Sequence, residues 1–340
     1  MSRWRDPIES RETSQLDLYE VTTWEPRSWL DRLSVAIHSF LGSATRAFLI
    51  LLAVLILVVE IVIGGVGVLT NPLLGLFTIL SAVPALGLAL YVWYVDATPP
   101  EPLKLLVMTF VLGVLFAGFA AVVNSAAQEG ALAATGLNAL PFAGMALFFY
   151  LVVGPVEETV KLLAVRLYAY RHDRFGAVID GAVYGAMAGL GFATIENAIY
   201  IARSVAQTPE TMNFILQGGA TATVRALAGP GHVIYSSFAG YYLGLARFNR
   251  ESAGPIIVKG LLIAALIHGT YNTIVSPAST FISQALSIPG LLAFLIFVLL
   301  YDGLFGALLF RKLQRYTRTY KRVHAGLDDD HEPERTEFDP

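Results

Sequence analysis

The sequence predicts an all-α membrane protein with about eight transmembrane helices, and three observations support this fold class. The 340-residue chain is 55% hydrophobic and only 14% charged, whereas soluble domains carry roughly 25% charged residues. Its apolar residues fall into long runs that approach the roughly 20 residues a helix needs to cross a bilayer. Its basic residues concentrate in alternate loops, which is typical of multi-pass membrane proteins.

Eight apolar segments are candidate transmembrane helices. They are residues 47–69, 74–95, 103–125, 143–167, 177–201, 225–246, 256–276 and 289–310. Breaker pairs such as Asn71-Pro72 and Gly254-Pro255 separate several of them. The chain has no cysteine, which excludes disulfides, thiolate catalysis and cysteine-ligated zinc.

The distribution of basic residues predicts that both termini are cytoplasmic. With the N-terminus inside, 20 of the 23 Lys and Arg residues lie on the cytoplasmic side, and the exceptions are Lys161, Arg203 and Arg225. The chain then divides into a polar cytoplasmic arm (1–46), a transmembrane domain (47–312) and a charged, disordered cytoplasmic tail (313–340). Within the arm, residues 28–41 fit either a short interfacial helix or a loosely ordered segment. We expect a multi-pass protein of the plasma membrane.

Two adjacent carboxylates inside the fourth predicted helix are the first candidate functional residues. An ionisable side chain at the bilayer centre costs roughly 2.5–3.5 kcal/mol on insertion scales, so such residues are functional candidates. Glu157 precedes Lys161 by four residues, which favours a structural ion pair on one helix face. That pair accounts for one carboxylate and leaves Glu158 unexplained.

The fifth predicted helix places a carboxylate at the end of a glycine stripe. At 100° per residue, one narrow stripe contains Gly181, Gly185, Gly189, Phe192 and Glu196. Glycines at this spacing let a second helix approach closely. The stripe therefore brings Glu196, with its neighbour Asn197, into a helix interface, where it serves either packing or a functional site. Asp180 begins the same helix and is a further candidate.

Two histidines in the sixth and seventh predicted helices complete the set of buried polar residues. His232 follows a Gly-Pro-Gly step at 229–231 that frees backbone groups and can bend the helix. His268 lies one turn before Asn272, whose amide can hold the imidazole in one tautomer. The alternative is interhelical packing. Straight helices would place Glu157 and His232 about 10 Å apart in depth, so a shared site needs tilt, a bend or different helix ends.

Three reaction types are compatible with these residues. A buried carboxylate can activate water for peptide hydrolysis while histidines stabilise the oxyanion. His232, His268 and a carboxylate can bind zinc, although no H-E-x-x-H motif is present. Buried acids and histidines can also form a proton relay in a transporter. No G-x-S-x-G motif supports a serine hydrolase, and no basic unit outside the membrane supports nucleic-acid binding.

Short motifs in a fixed order distinguish these alternatives. They are Asp96 with Pro100-Glu101-Pro102, Glu157-Glu158-x-x-Lys161, D-G-x-x-Y-G at 180–185, G-F-A-T-I-E-N at 191–197, His232 followed by Gly240 to Arg247, and H-G-T-Y at 268–271. Over residues 75–312 the chain resembles the PrsW family of intramembrane proteases, which is distantly similar to the CAAX prenyl protease group.

The resemblance implies a peptidase that cleaves a membrane-embedded or membrane-adjacent protein or peptide substrate, such as an anti-sigma factor, in the lipid bilayer. It assigns catalysis to Glu157, Glu158 and His268, and we add His232. The residues expected to order the site are Glu196, Asn197, Asn272, Lys161 and Asp180. Some family members have Asp where this chain has Asn272, so an orienting role is retained there without charge.

The cofactor is left open between two mechanisms. In the metal-free mechanism, Glu157 or Glu158 activates water. In the metalloprotease mechanism, zinc is the candidate ion, and its expected ligands are His232, His268 and Glu158. The alternative function is a non-proteolytic transporter or scaffold with a polar proton-relay cavity.

Overall fold

Eight helices form the part of the chain that the computed structural model describes, which comprises residues 6, 8, 17–41, 71–134, 141–206 and 211–328. They are α1 (Trp29–Leu41), α2 (Pro72–Val95), α3 (Leu103–Ala134), α4 (141–167), α5 (Asp180–Val205), α6 (Thr211–Phe248), α7 (Ala253–Leu286) and α8 (Gly290–Asp328). These described residues contain no β-strand, which confirms the predicted all-α class. The first predicted span, 47–69, lies outside them.

Each of the other seven predicted spans corresponds to a helix. Four helices, α2, α3, α7 and α8, are long and apolar enough to cross a membrane. The remaining three, α4, α5 and α6, carry several of the buried charged residues, among them Glu158, Lys161 and Asp180. Hydropathy placed the last span at 289–310, whereas α8 continues to Asp328. The residues after 310 include good helix formers such as Lys, Arg and Gln, so the helix extends into the tail predicted at 313–340.

The α5–α6 pair lies at the centre of the bundle, with α2, α3, α4 and α7 around it. The predicted glycine stripe is the reason for their close approach. A Cβ at Gly181 would overlap the backbone of Gly240, and one at Gly185 would overlap the backbone of Ser236. Further along, Gly189 faces the backbone of His232. The small residues therefore fix which part of α6 lies beside each turn of α5.

A π-helical turn interrupts α4 just before its carboxylates. Pro141–Phe148 is α-helical, Phe149–Val153 forms the π turn, and Gly154–Leu167 is α-helical again. The backbone N–H of Gly154 donates to the carbonyl of Phe149 and so closes the wider ring. Pro155 has no N–H to donate, and the wider turn lies directly before it.

The N-terminal arm is held against the bundle by buried ion pairs. The Lys259 ammonium of α7 contacts the carboxylates of Glu20 and Asp31, and Lys312 Nζ of α8 lies 2.9 Å from Glu20 Oε2. Burial opposes ionisation of Asp31, but hydrogen bonds from Lys259, Tyr19 and Ser28 hold the pKa of this carboxyl well below its usual range. Of the two alternatives left open for residues 28–41, the structure has the short helix, α1.

Reversing the charge at Lys259 is expected to release this arm. A Lys259→Glu variant places a third carboxylate against Glu20 and Asp31. Because breaking a buried ion pair costs about 3–5 kcal/mol, we expect limited proteolysis of the arm to become at least about tenfold faster. Lys104→Glu, an exposed lysine on α3, is the control. Equal cleavage rates for the two variants would show that the ion pairs do not hold the arm.

The carboxyl of Asp31 also sets the pH range over which the arm stays docked on the bundle. Since the folded-state pKa of Asp31 is depressed, its contribution to docking is complete above the unfolded value of about 3.9 and is lost as the pH falls further. In the wild-type protein we therefore expect slow cleavage of the arm at any pH from 5 to 8.

Candidate active site

Four helices bring the predicted polar residues together inside the bundle. The members are Glu157, Glu158 and Lys161 from α4, Glu196 from α5, His232 from α6 and His268 from α7. Ligand atoms of Glu157, His232 and His268 all lie within 4.8 Å of one another. The expected mismatch in depth is absent, because α6 begins at Thr211, well before the predicted 225. His232 therefore lies near the middle of its helix, as His268 does in α7.

Close backbone packing of α4 on α7 explains how two of these residues meet. A Cβ at Gly154 would lie 2.7 Å from the carbonyl oxygen of Ala265, so only glycine permits this approach. One turn further along, Glu158 Oε1 lies 2.9 Å from His268 Nδ1. The glycine before the double-glutamate motif therefore positions its carboxylates against the histidine.

Glu158 orients His268, in the role that we expected for Asn272. Glu158 Oε1 also accepts a hydrogen bond from Lys161 Nζ at 2.7 Å. Since this carboxylate is an anion paired with an ammonium, we assign the proton on the His268 ring to Nδ1. The lone pair on Nε2 is then free, and Nε2 lies 3.7 Å from Glu157 Oε2. Asn272 instead lines the adjacent cavity.

His232 is held from both sides. Its Nδ1 lies 2.9 Å from Lys161 Nζ, and its Nε2 lies 2.7 Å from Glu196 Oε2. An ammonium can only donate, so Nδ1 accepts and the Nε2 proton is donated to Glu196. Lys161 thus contacts both Glu158 and His232, and it also lies 4.2 Å from the centre of the Phe192 ring. Lys161 therefore links the two histidines in addition to offsetting the charge of the paired glutamates.

Arg225 completes this side of the site, and the sequence did not indicate its role. Its Nη2 donates to Glu196 Oε2 at 2.6 Å, and its Nε donates to Asn197 Oδ1 at 2.8 Å. Asn197 in turn donates to Ser81 Oγ of α2 at 3.0 Å. The distribution of basic residues over the predicted loops had placed Arg225 outside the membrane. The available signal in the sequence was the position of Arg225, which stands at the start of a predicted helix directly before an apolar run.

Glu157 has one oxygen that no donor among the described residues reaches. Its Oε1 accepts a hydrogen bond from Asn124 Nδ2 of α3 at 3.0 Å. Its Oε2 is buried, and no hydrogen-bond partner for it exists within the described ranges. The nearest groups are Lys161 Nζ at 3.9 Å and His268 Nε2 at 3.7 Å. A buried anionic oxygen in this situation is expected to have a further partner.

The donor set fits a metal ion of the zinc type. One carboxylate and two imidazoles are the ligands of several catalytic zinc sites, and Glu158 supports His268 as carboxylates commonly support metal-binding histidines. His232 can supply its nitrogen when it gives up one of its two hydrogen bonds. The sequence had suggested Glu158 as the third ligand. Glu157 takes that place in the converging set, because Glu158 is engaged by Lys161 and His268.

A cavity of about 480 Å³ opens onto these residues. Its polar wall includes Glu157, Glu196, His232, His268 and Asn272, and its apolar wall includes Met145, Phe148, Phe149, Val275 and Phe294. Glu158 does not line it. The mixture of an apolar wall with a few converging polar groups is typical of ligand sites.

Two buried acids differ from expectation. Asp180 was predicted to support this site, but it begins α5, 16 residues and therefore about 24 Å before Glu196 along the helix axis. The structure therefore does not bring Asp180 to the cluster, because helical periodicity places residues on one face without fixing their depth. Asp302 of α8 was not predicted. It accepts a hydrogen bond from Tyr235 at 3.0 Å, and the Tyr235 ring lies 5.3 Å from that of His268.

Comparisons with known proteins identify the family. A family model described as "PrsW family intramembrane metalloprotease" matches residues 101–303. A Protease PrsW from Geobacillus kaustophilus is 32% identical over 200 residues, covering 58% of this chain and 79% of the relative. A Protease PrsW from Bacillus subtilis is 30% identical over 213 residues, covering 61% and 87%. No solved structure matches the chain.

The matched region contains all four helices that form the polar cluster. It favours the expected peptidase over the transporter or scaffold, and the family description implies a metal. The chain belongs to the PrsW family of intramembrane metalloproteases and is a multi-pass membrane peptidase.

Proposed function

We propose that this peptidase cleaves its substrate in the cavity beside Glu157, His232 and His268. One observation carries the proposal: Glu157 Oε2, which has no hydrogen-bond partner among the described residues, lies 3.7 Å from His268 Nε2 on the wall of a cavity large enough for a peptide segment. The other predicted residues support this pair. Glu158 orients His268, and Lys161 joins Glu158 to His232.

In this proposal Glu157, His232 and His268 hold a zinc ion. Zinc bound by such ligands supplies Lewis-acid activation of water and of the scissile carbonyl. Glu196 is the second carboxylate on the cavity wall, 2.7 Å from His232 Nε2. It is our candidate for accepting the proton of the attacking water, in place of the expected Glu157 or Glu158. Asn272 lines the same cavity and can donate to the developing oxyanion.

The substrate in this proposal is a protein segment within or next to the bilayer. The apolar wall formed by residues such as Phe148 and Phe294 suits an apolar peptide and keeps bulk water from the polar cluster. A membrane-bound regulatory protein, such as an anti-sigma factor, is the substrate class that the resemblance favours. Cytoplasmic termini and a location in the plasma membrane remain part of the proposal, supported by the distribution of basic residues.

Removal and return of the metal tests this function. The full-length protein is purified into lipid nanodiscs and assayed on a transmembrane peptide carrying a fluorophore and a quencher. We expect 1,10-phenanthroline to abolish cleavage, stoichiometric zinc to restore it, and elemental analysis to find one zinc per chain. His268→Ala is expected to lose both zinc and activity. Full activity after chelation, with no metal found, would contradict the zinc site and favour the metal-free mechanism.

A further inference from the structure

A second cluster of acids lies at the other end of α5 and takes no part in the proposed reaction. It combines Asp96, the residue directly after α2, Glu101 of the α2–α3 loop, and Asp180, the first residue of α5. One carboxylate oxygen from each lies within 4.8 Å of the other two. Glu101 is 6% exposed and Asp180 is 3% exposed, so the three acids are not an ordinary solvated surface group.

No ion pair balances the negative charge of this cluster within the described part of the chain, although Arg247 interacts with Asp180 at longer range. No Lys or Arg there forms an ion pair with any of the three carboxylates. Asp180 accepts hydrogen bonds from the N–H groups of Gly176 at 2.8 Å and Ala177 at 3.2 Å, and from Thr98 Oγ1 at 3.3 Å. Both oxygens of Glu101 and Oδ2 of Asp96 are buried and accept no hydrogen bond from any described residue. Buried carboxylates in this state require a counter-charge or a proton.

A tyrosine gives a second, independent indication that a group is missing. Tyr184 lies one turn after Asp180 on α5 and is completely buried. Its hydroxyl has no hydrogen-bond partner among the described residues. This side chain is electrostatically coupled to Asp180, Glu101 and Asp96. A buried phenol near three acids, with no hydrogen bond within the described residues, is a polar group for which a further partner is expected.

We propose that Asp96, Glu101 and Asp180 bind a hard divalent cation, of the Ca²⁺ or Mg²⁺ class. Every donor in the cluster is oxygen, which favours such ions over zinc. The histidine-containing site about 24 Å away along α5 has the opposite preference. A space of about 170 Å³, lined by Trp93, Tyr94, Asp96, Thr98 and Glu101, leads to the carboxylates.

The bound cation has a structural consequence. It joins the end of α2 and the adjacent α2–α3 loop to the start of α5, which is distant from both in sequence. It thereby fixes one end of the central helix whose other half carries Glu196. The main competing arrangement is a proton shared between the Asp96 and Glu101 carboxyls.

Cation binding is tested on the full-length protein in detergent, after treatment with 1,10-phenanthroline to remove zinc. Tb³⁺ is the first probe, because Trp93 and Tyr94 lie at the site and can sensitise its luminescence. We expect saturable Tb³⁺ luminescence that Ca²⁺ or Mg²⁺ competes away, and a melting temperature that rises by several degrees with the competing ion. His268→Ala is expected to show the same response, which separates this site from the catalytic one.

Glu101→Gln is the decisive variant, since its carboxylate accepts no hydrogen bond that the substitution would break. We expect at least tenfold weaker competition by Ca²⁺ or Mg²⁺, and the same loss in Asp180→Asn. Glu129→Gln, an exposed acid on α3, is expected to behave like the wild type. Absence of a response to Ca²⁺, Mg²⁺ and Mn²⁺ in the wild type, or an unchanged response in Glu101→Gln, would overturn the proposal. If the wild type does not respond to these ions, a melting temperature of Glu101→Gln at or above that of the wild type would identify a proton shared between the Asp96 and Glu101 carboxyls.

Discussion

Replacing Glu157 by glutamine is expected to lower peptide hydrolysis about 1000-fold while the bundle stays folded. The amide oxygen can still accept the hydrogen bond from Asn124, whereas the charge on Oε2 is lost. No hydrogen bond within the described chain depends on Oε2, so the loss of its charge affects the cavity and leaves the bundle folded. In our proposal this charge helps to hold the zinc ion that activates the water and the scissile carbonyl. Removing one such electrostatic contribution typically lowers kcat by about 10²–10³-fold. The measurements are kcat/KM on the transmembrane peptide, the zinc content and the melting temperature.

Glu158→Gln is the matched comparison for this variant. Glu158 is fully buried and accepts from both Lys161 and His268. Its neutralisation removes the close partner of a buried ammonium, which costs about 3–5 kcal/mol. We therefore expect Glu158→Gln to lose stability as well as activity. If Glu157→Gln kept its activity within tenfold, or if it unfolded while Glu158→Gln did not, the assignment of the two roles would be wrong.

Adding a single methyl group at Gly185 is expected to destabilise the central helix pair. A Cβ there would overlap the carbonyl group of Ser236 and approach the Cα of Gly240. These are backbone atoms that cannot move aside by changing a rotamer, so α5 and α6 must separate. Overpacking typically costs about 1–3 kcal/mol. We expect Gly185→Ala to melt at a lower temperature and to lose activity, because Glu196 and His232 lie across the same interface.

Gly118→Ala is the control, and we expect it to change the melting temperature in the opposite direction. Apart from the neighbouring backbone of α3 itself, no atom of the described residues lies within 4 Å of a Cβ at this position. Alanine is favoured over glycine in a helix by about 1 kcal/mol, so this variant should melt at or slightly above the wild-type temperature. Equal melting temperatures for Gly185→Ala and Gly118→Ala would show that the glycine stripe does not limit the approach of the helices.

The membrane spans and most of the polar cluster followed from the sequence for a physical reason. The length of an apolar run and the free-energy cost of a buried charge are local properties that constrain any chain in a bilayer. This is why seven spans correspond to helices, and why Glu157, His232 and His268 were identified before their helices were placed. The glycine stripe followed as well, since only residues without a side chain tolerate backbone contact.

Other features depend on contacts between helices, which a single sequence does not display. The separate roles of Glu157 and Glu158 are set by Asn124 on α3 and by His268 on α7. The partner of His268 was predicted one turn away on its own helix, yet it came from another helix. Asp180, by contrast, lies 16 residues before Glu196 on the same helix, and the sequence alone already displayed this separation in depth.

The π turn of α4 determines which glutamate faces the cavity. A π turn contains one residue more than an α turn, so it advances the phase of everything after it by about 100° relative to the preceding segment. If Phe149–Val153 were shortened by one residue, Glu158 would take the direction now taken by Glu157, and Thr159 would replace Glu158 opposite His268. The extra residue of the π turn thus decides which of the two adjacent glutamates faces the cavity and which faces His268.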